Sequence, residues 1–202
     1  MTKIKLCGLT RKCDIEWVNE LMPEYIGFVF FPKSSRYVSF DKAQKLRKTL
    51  DSRITPVGVF VNEEIDNIEY LVKSGIISIA QLHGNEDNEY IKLLQSKVSC
   101  PLIQAFRIDT EADINRAEKS SADYIMLDSG GGTGQSFNHN LIKNIKREFF
   151  LAGGLDSDNV SKAIADCHPY AVDASSSLET DGVMDRIKMT EFVRTVRNRN
   201  GG

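Results

Sequence analysis

Eight short apolar runs recur down the chain, each followed by a polar turn and then an amphipathic stretch, and this rhythm leaves few folds open. The runs are Ile4 to Leu6, Tyr25 to Phe30, Pro56 to Val61, Ile76 to Leu82, Leu102 to Phe106, Tyr124 to Leu127, Phe149 to Ala152 and Tyr170 to Val172. They are apolar at most positions without clean alternation, as parallel strands covered by helices are. Helical signals lie between them. Ile65, Ile68, Leu71 and Val72 share one face, acidic residues open that segment and Gly75 is placed to stop it. Thr110 to Asp113 reads as a capping box, Thr10 as a helix-capping residue after the first run, and a last periodic segment spans roughly Asp185 to Arg197. The weakest helical signals fall around residues 11 to 22 and 41 to 50.

A strand–helix unit every ~20 to 30 residues, repeated eight times, predicts a closed (β/α)8 TIM barrel with short loops. The competing arrangement is an open, doubly wound sheet; eight units in 202 residues with no sign of a second domain favour closure. The barrel is expected to span 1–200, with 201–202 a loose tail.

The 26 basic and 28 acidic residues nearly cancel, and no long basic run is present. Nucleic acid and anionic membrane are therefore poor partners for this chain. Cys7, Cys13, Cys100 and Cys167 have neither zinc-ribbon nor disulfide-framework spacing, and no apolar run is long enough for a signal core or a membrane span. A reducing, cytoplasmic setting is expected.

In a barrel of this kind chemistry sits just past the C-terminal end of each strand. Cys7 ends the first run; an isolated cysteine is more often a small buried hydrophobe. The second run leads into Phe31 to Tyr37, a basic loop in which Arg36 is suited to a two-pronged grip on an anion, or is simply a surface charge. Gln81 and His83 end the fourth run. Without partner residues, His83 makes a poor case for a Cys7–His83 nucleophilic pair or a metal site; His139 and His168 are assigned no role. Asp128 ends the sixth run ahead of a glycine-rich stretch. It either satisfies loop N–H groups or, across the mouth from Cys7, supplies an acid to complement a thiolate base, as an isomerisation requires. Gly153–Gly154 after the seventh run and Ser175 to Ser177 after the eighth offer backbone and hydroxyl donors for a phosphate; the same residue types also suit a tight turn and an N-cap.

Six segments in order carry a family resemblance. These are Lys5 to Thr10, Gly27 to Phe30 with Ser35 to Val38, Gln81 to Gly84, Leu127 to Ser129 with Gly131 to Gly134, Leu151 to Leu155, and Val172 to Ser176. Together the chain resembles the phosphoribosylanthranilate isomerases of tryptophan biosynthesis nearly end to end. The resemblance implies an Amadori rearrangement of N-(5-phospho-β-D-ribosyl)anthranilate to 1-(2-carboxyphenylamino)-1-deoxy-D-ribulose 5-phosphate, with no cofactor and no metal. It makes Cys7 the general base and Asp128 the general acid. Arg36 would place the anthranilate, with Gln81 and His83 as further substrate-binding residues. Gly153, Gly154, Asp173, Ser175 and Ser176 form the phosphate-binding set. The small-molecule phosphoribosyl substrate is the one partner implied, for a monomer or homodimer.

Three positions depart from the family pattern: Ser35 stands for a usual proline, Asn138 for an aspartate and Ser177 for a glycine. Another phosphosugar-processing barrel enzyme, or a non-catalytic phosphate-metabolite binder, remains as an alternative.

Overall fold

A computed structural model describes residues 1–128, 139–142 and 145–200. The strands are β1 (Lys3–Cys7), β2 (Tyr25–Val29), β3 (Thr55–Phe60), β4 (Ile79–Leu82), β5 (Leu102–Arg107), β6 (Tyr124–Asp128), β7 (Phe149–Ala152) and β8 (Ala171–Ala174). All are parallel and close in chain order into a barrel. Closure pairs Lys3 with Ala171, Ile4 with Val172, Lys5 with Asp173 and Leu6 with Ala174. Around the barrel lie α1 (Lys12–Leu21), α2 (Phe40–Arg47), α3 (Ile65–Lys73), α4 (Asn88–Lys97), α5 (Glu111–Glu118), α6 (Val160–Cys167) and α7 (Arg186–Asn200).

Two cores explain the unbroken hydrophobicity of the strands. Ile4, Leu6, Ile26, Phe28, Leu82 and Leu127 face outward and pack against helix residues such as Ile15, Val18, Ile68, Leu71, Ile91 and Leu94. The alternate residues fill the interior, where Val57, Ile79, Ile103, Met126, Phe150 and Ala171 form a separate cluster. Side chains of period two stack in layers along the barrel axis. At the N-terminal end Tyr25, Tyr124, Phe150 and Tyr170 pack ring against ring, with Lys3 Nζ donating to the Tyr170 hydroxyl at 2.5 Å. Towards the other end the inward columns carry Lys5, Asp173 and Gln81 and then reach Cys7, His83 and Asp128 at the rim.

The two weakest helical segments are α1 and α2, and both are fixed at their starts. Thr10 is not the cap of α1; the N-cap is Arg11, and buried Asp14 accepts from the Thr10 and Arg11 backbone N–H groups at 2.9 and 2.8 Å. Ser39 caps α2 by accepting from the Lys42 N–H. A side chain that satisfies orphan donors stabilises a short helix by about 1 kcal/mol, which offsets a modest apolar face. The expected capping box of Thr110 and Asp113 is present on α5.

Three boundaries differ from the sequence reading. Strand β4 begins at Ile79, because the N–H groups of Ile76 and Ile77 bond back to the Leu71 carbonyl and close α3, with Gly75 at φ 69° making the turn. Among the described residues the segment after β6 holds a 3-10 turn, His139–Ile142, instead of an α-helix. After β8 the chain makes another 3-10 turn, Ser176–Leu178, and a hairpin of β9 (Glu179–Thr180) and β10 (Val183–Met184) before α7. Ser129, the glycine-rich stretch, Asn138 and 201–202 lie outside the described residues. Among the described residues no helix is long and apolar enough to cross a membrane.

Candidate active site

The C-terminal rim encloses a cavity of about 320 Å³, near the lower end of the range for metabolite pockets. Every residue singled out from the sequence borders it: Cys7, Arg36, Gln81, His83, Asp128, Gly153, Gly154, Asp173, Ser175 and Ser176. The barrel brings together positions as far apart in sequence as β1 and β8, because closure makes those strands neighbours.

Cys7 is 6% exposed and stands directly beside Gly27 in the β1–β2 register. A Cβ on Gly27 would come within 2.4 Å of the Cys7 sulfur and 3.1 Å of its Cα. Glycine is therefore required there to make room for the thiol. Gly27→Ala is expected to cost about 1–3 kcal/mol by overpacking and to displace the sulfur; a urea midpoint and turnover both unchanged from the parent would contradict this.

Beneath the thiol, Lys5 Nζ contacts Asp173 Oδ1 at 2.8 Å, with the lysine fully buried. Burial pushes the Cys7 thiol above the ordinary cysteine range, reinforced by Asp173 and opposed by Lys5 and Arg36. Burial pulls Lys5 down, but Asp173 and Cys7 more than offset it and hold the ammonium charged. The Asp173 carboxyl, expected in the phosphate set, contacts Lys5 here, and burial pushes its pKa up against the opposing pull of Lys5.

Across the cavity, His83 Nε2 lies 3.7 Å from Asp128 Oδ2, and Gln81 Nε2 lies 3.1 Å from His83 Nδ1. When Gln81 donates to Nδ1, the imidazole proton resides on Nε2, facing Asp128. Gln81 is 1% exposed, and its Oε1 has no hydrogen-bond partner among the described residues. An acceptor of this kind, buried beside a cavity, has its hydrogen-bonding capacity still open.

Arg36 is held by a residue the sequence did not flag. Its Nε and Nη2 donate to Glu179 Oε1 and Oε2 at 2.5 and 2.9 Å. A guanidinium has five N–H donors in a planar fork. Glu179 fixes one edge and leaves the other for an anion. Gly8, at φ 95°, lies underneath, where a Cβ would strike Arg36 Cδ at 2.4 Å.

At the proposed phosphate end, Gly153 and Gly154 adopt φ of 100° and 62°, values that favour glycine, and a Cβ on Gly154 would meet nothing within 4 Å. The Ser175 hydroxyl is engaged elsewhere, donating to the Cys7 carbonyl at 2.9 Å, and Ser177 donates to the Leu155 carbonyl at 2.5 Å. Ser177 thus ties the turn after β8 to the turn after β7. Ser176 is exposed. Among the described residues no group of three His, Cys, Asp or Glu side chains is arranged to hold a metal ion.

Lys5 and Glu179 are the functional residues that sequence reasoning missed. For Lys5 a signal existed: a lysine inside an apolar run, two positions before Cys7 and so on the same strand face. Glu179 had none, since only the turn after β8 brings it to Arg36.

Residues 4–195 match the family model described as N-(5'phosphoribosyl)anthranilate (PRA) isomerase. The N-(5'-phosphoribosyl)anthranilate isomerase of Endomicrobium trichonymphae is 41% identical over 203 residues, covering 98% of this chain and 100% of the relative. The crystal structure of phosphoribosyl anthranilate isomerase from Thermotoga maritima superposes with a TM-score of 0.90 at 32% identity, over 98% of this chain and 100% of that one. A phosphoribosyl anthranilate isomerase solved with reduced 1-(o-carboxyphenylamino)-1-deoxyribulose 5-phosphate gives 0.87 at 32% identity and the same coverage. With the barrel, the polar rim and the full-length match in agreement, the chain belongs to the phosphoribosylanthranilate isomerase family of tryptophan biosynthesis.

Proposed function

We propose that the isomerisation runs between Cys7 and Asp128, on opposite walls of the one cavity. The Asp128 carboxyl gives its proton to the furanose ring oxygen as the bond from that oxygen to C1 breaks, and the amine lone pair forms the C1=N iminium. The Cys7 thiolate then removes the proton from C2; that electron pair becomes the C1=C2 bond of an enolamine, and the iminium nitrogen regains its lone pair. Proton delivery to C1 and loss of the C2 hydroxyl proton leave the ketone. Atoms and charge balance without any further reagent.

The observation that carries this reading is the placement of a thiol and a carboxyl across a single 320 Å³ cavity that also contains a cation and a glycine turn. The open edge of Arg36 fits the anthranilate carboxylate. The unpaired Gln81 Oε1 fits a substrate N–H or O–H donor. Gly153, Gly154 and Ser176 fit the phosphate, with Ser175 contributing its backbone while its hydroxyl stays on β1. The isomerase solved with the reduced carboxyphenylamino-deoxyribulose phosphate supports a ligand of this size and charge in such a barrel.

The test generates the labile substrate in place, from anthranilate and phosphoribosyl pyrophosphate with a transferase, and follows its consumption. Acceleration over the spontaneous background is expected; its absence would remove the assignment. Ser176→Glu is expected to raise KM by about tenfold or more through like-charge repulsion with the phosphate, with a smaller change in kcat. An unchanged KM would place the phosphate elsewhere.

A further inference from the structure

We propose that the buried Lys5–Asp173 ion pair governs the charge of the Cys7 thiol, with Lys5 a positioning residue that holds the thiolate toward the substrate. This rests on Cys7 being the base. Lys5 and Cys7 lie two residues apart on the inward face of β1, and the β1–β8 register sets Asp173 directly beside Lys5. The ammonium contacts Asp173 at 2.8 Å with no solvent exposure. It has three donors, so Asp173 leaves capacity for a second anion, and the Cys7 side chain stands two residues further along the same inward face of β1. Gly27 closes the other side of the thiol, which restricts the sulfur to the wall shared with Lys5.

An ion pair is an unusual filler for this interior. The neighbouring layer is Val57, Ile103, Met126 and Phe150, and apolar residues of similar volume replace buried pairs with little loss and often with gain. Stability therefore gives little reason for the pair, whereas a thiol that must ionise out of water does. The other charged or titratable groups facing the cavity are Arg36 from the loop after β2, His83 just past β4 and Asp128 at the end of β6. Arg36 is held on one edge by Glu179, and His83 and Asp128 lie 3.7 Å from each other, so Lys5 is the cation that shares a strand face with the sulfur.

The two members of the pair act on the thiol with opposite signs: Lys5 favours the thiolate and Asp173 opposes it. The experiment reads the pH midpoint of iodoacetamide alkylation at Cys7, located by peptide mass spectrometry, in the parent protein, Lys5→Met and Asp173→Asn. The midpoint is expected to rise by about one unit or more in Lys5→Met and to fall in Asp173→Asn. Because Lys5→Met leaves a buried carboxylate unpaired, the double variant Lys5→Met/Asp173→Asn is measured beside it, and its midpoint should stay above that of the parent. Unchanged midpoints, single variants shifting in the same direction, or a double variant at or below the parent would overturn the proposal. Alkylation needs no substrate, so its result is separate from the identity of the base. Failure of that reading shows instead as an acid limb of kcat/KM that stays fixed while the alkylation midpoint moves.

Discussion

Asp128→Asn is expected to lower kcat by at least ~100-fold while leaving KM within a few-fold of the parent, the pattern of a lost proton donor. Asparagine keeps the shape of the side chain at the end of β6, so the barrel and the cavity wall persist. What disappears is the acidic proton. Without it the ring oxygen must leave as an alkoxide, and the other carboxyls described at this rim are engaged: Asp173 is bound to Lys5 and Glu179 to Arg36. His83, 3.7 Å from Asp128, is the neighbour that the variant isolates. If the imidazole were the donor, Asp128→Asn would keep near-normal turnover and His83→Asn would carry the loss. Steady-state rates of the two variants, with substrate generated in place, separate these roles.

Much of this site was legible before any coordinates, and the reason is geometric. In a parallel barrel the residue after each apolar run falls on one rim, so finding the runs also finds Cys7, Asp128, Gly153 and Ser175. The even apolarity of the strands was readable because both faces are buried, Leu6 against helices and Val57 against the barrel axis. Local competition blurred the boundaries. Ile76 and Ile77 are as apolar as a strand, yet they serve the end of α3, and Asp14 captured the helix start expected of Thr10.

Pairings across the closure were not legible. Lys5 and Asp173 are 168 positions apart, and Arg36 and Glu179 are 143 apart. No local pattern announces such pairs, and a lysine is ordinarily read as surface. Their consequence is functional. With Asp173 and Glu179 each bound to a cation, the charge offered to substrate is the remaining edge of Arg36 and the thiol above Lys5, not the simple sum of the rim residues.

Cys7→Ser tests the other half of the chemistry and should also cost at least ~100-fold in kcat. The substitution is nearly isosteric and the oxygen is smaller than the sulfur it replaces, so the urea midpoint should stay close to that of the parent. The hydroxyl nevertheless ionises far less readily than a thiol, and burial at this position already disfavours the anion. Lys5 and Arg36 ease ionisation of a sulfur here, but they cannot close the gap for an oxygen. The kcat/KM of the parent should rise with pH as the thiol ionises, since the base must lose its proton to act, and should level off above the thiol midpoint. In Cys7→Ser that plateau should be absent. Turnover close to the parent, or a pH profile that keeps the same limb, would assign proton abstraction to another group, and with it the purpose of the lysine beneath.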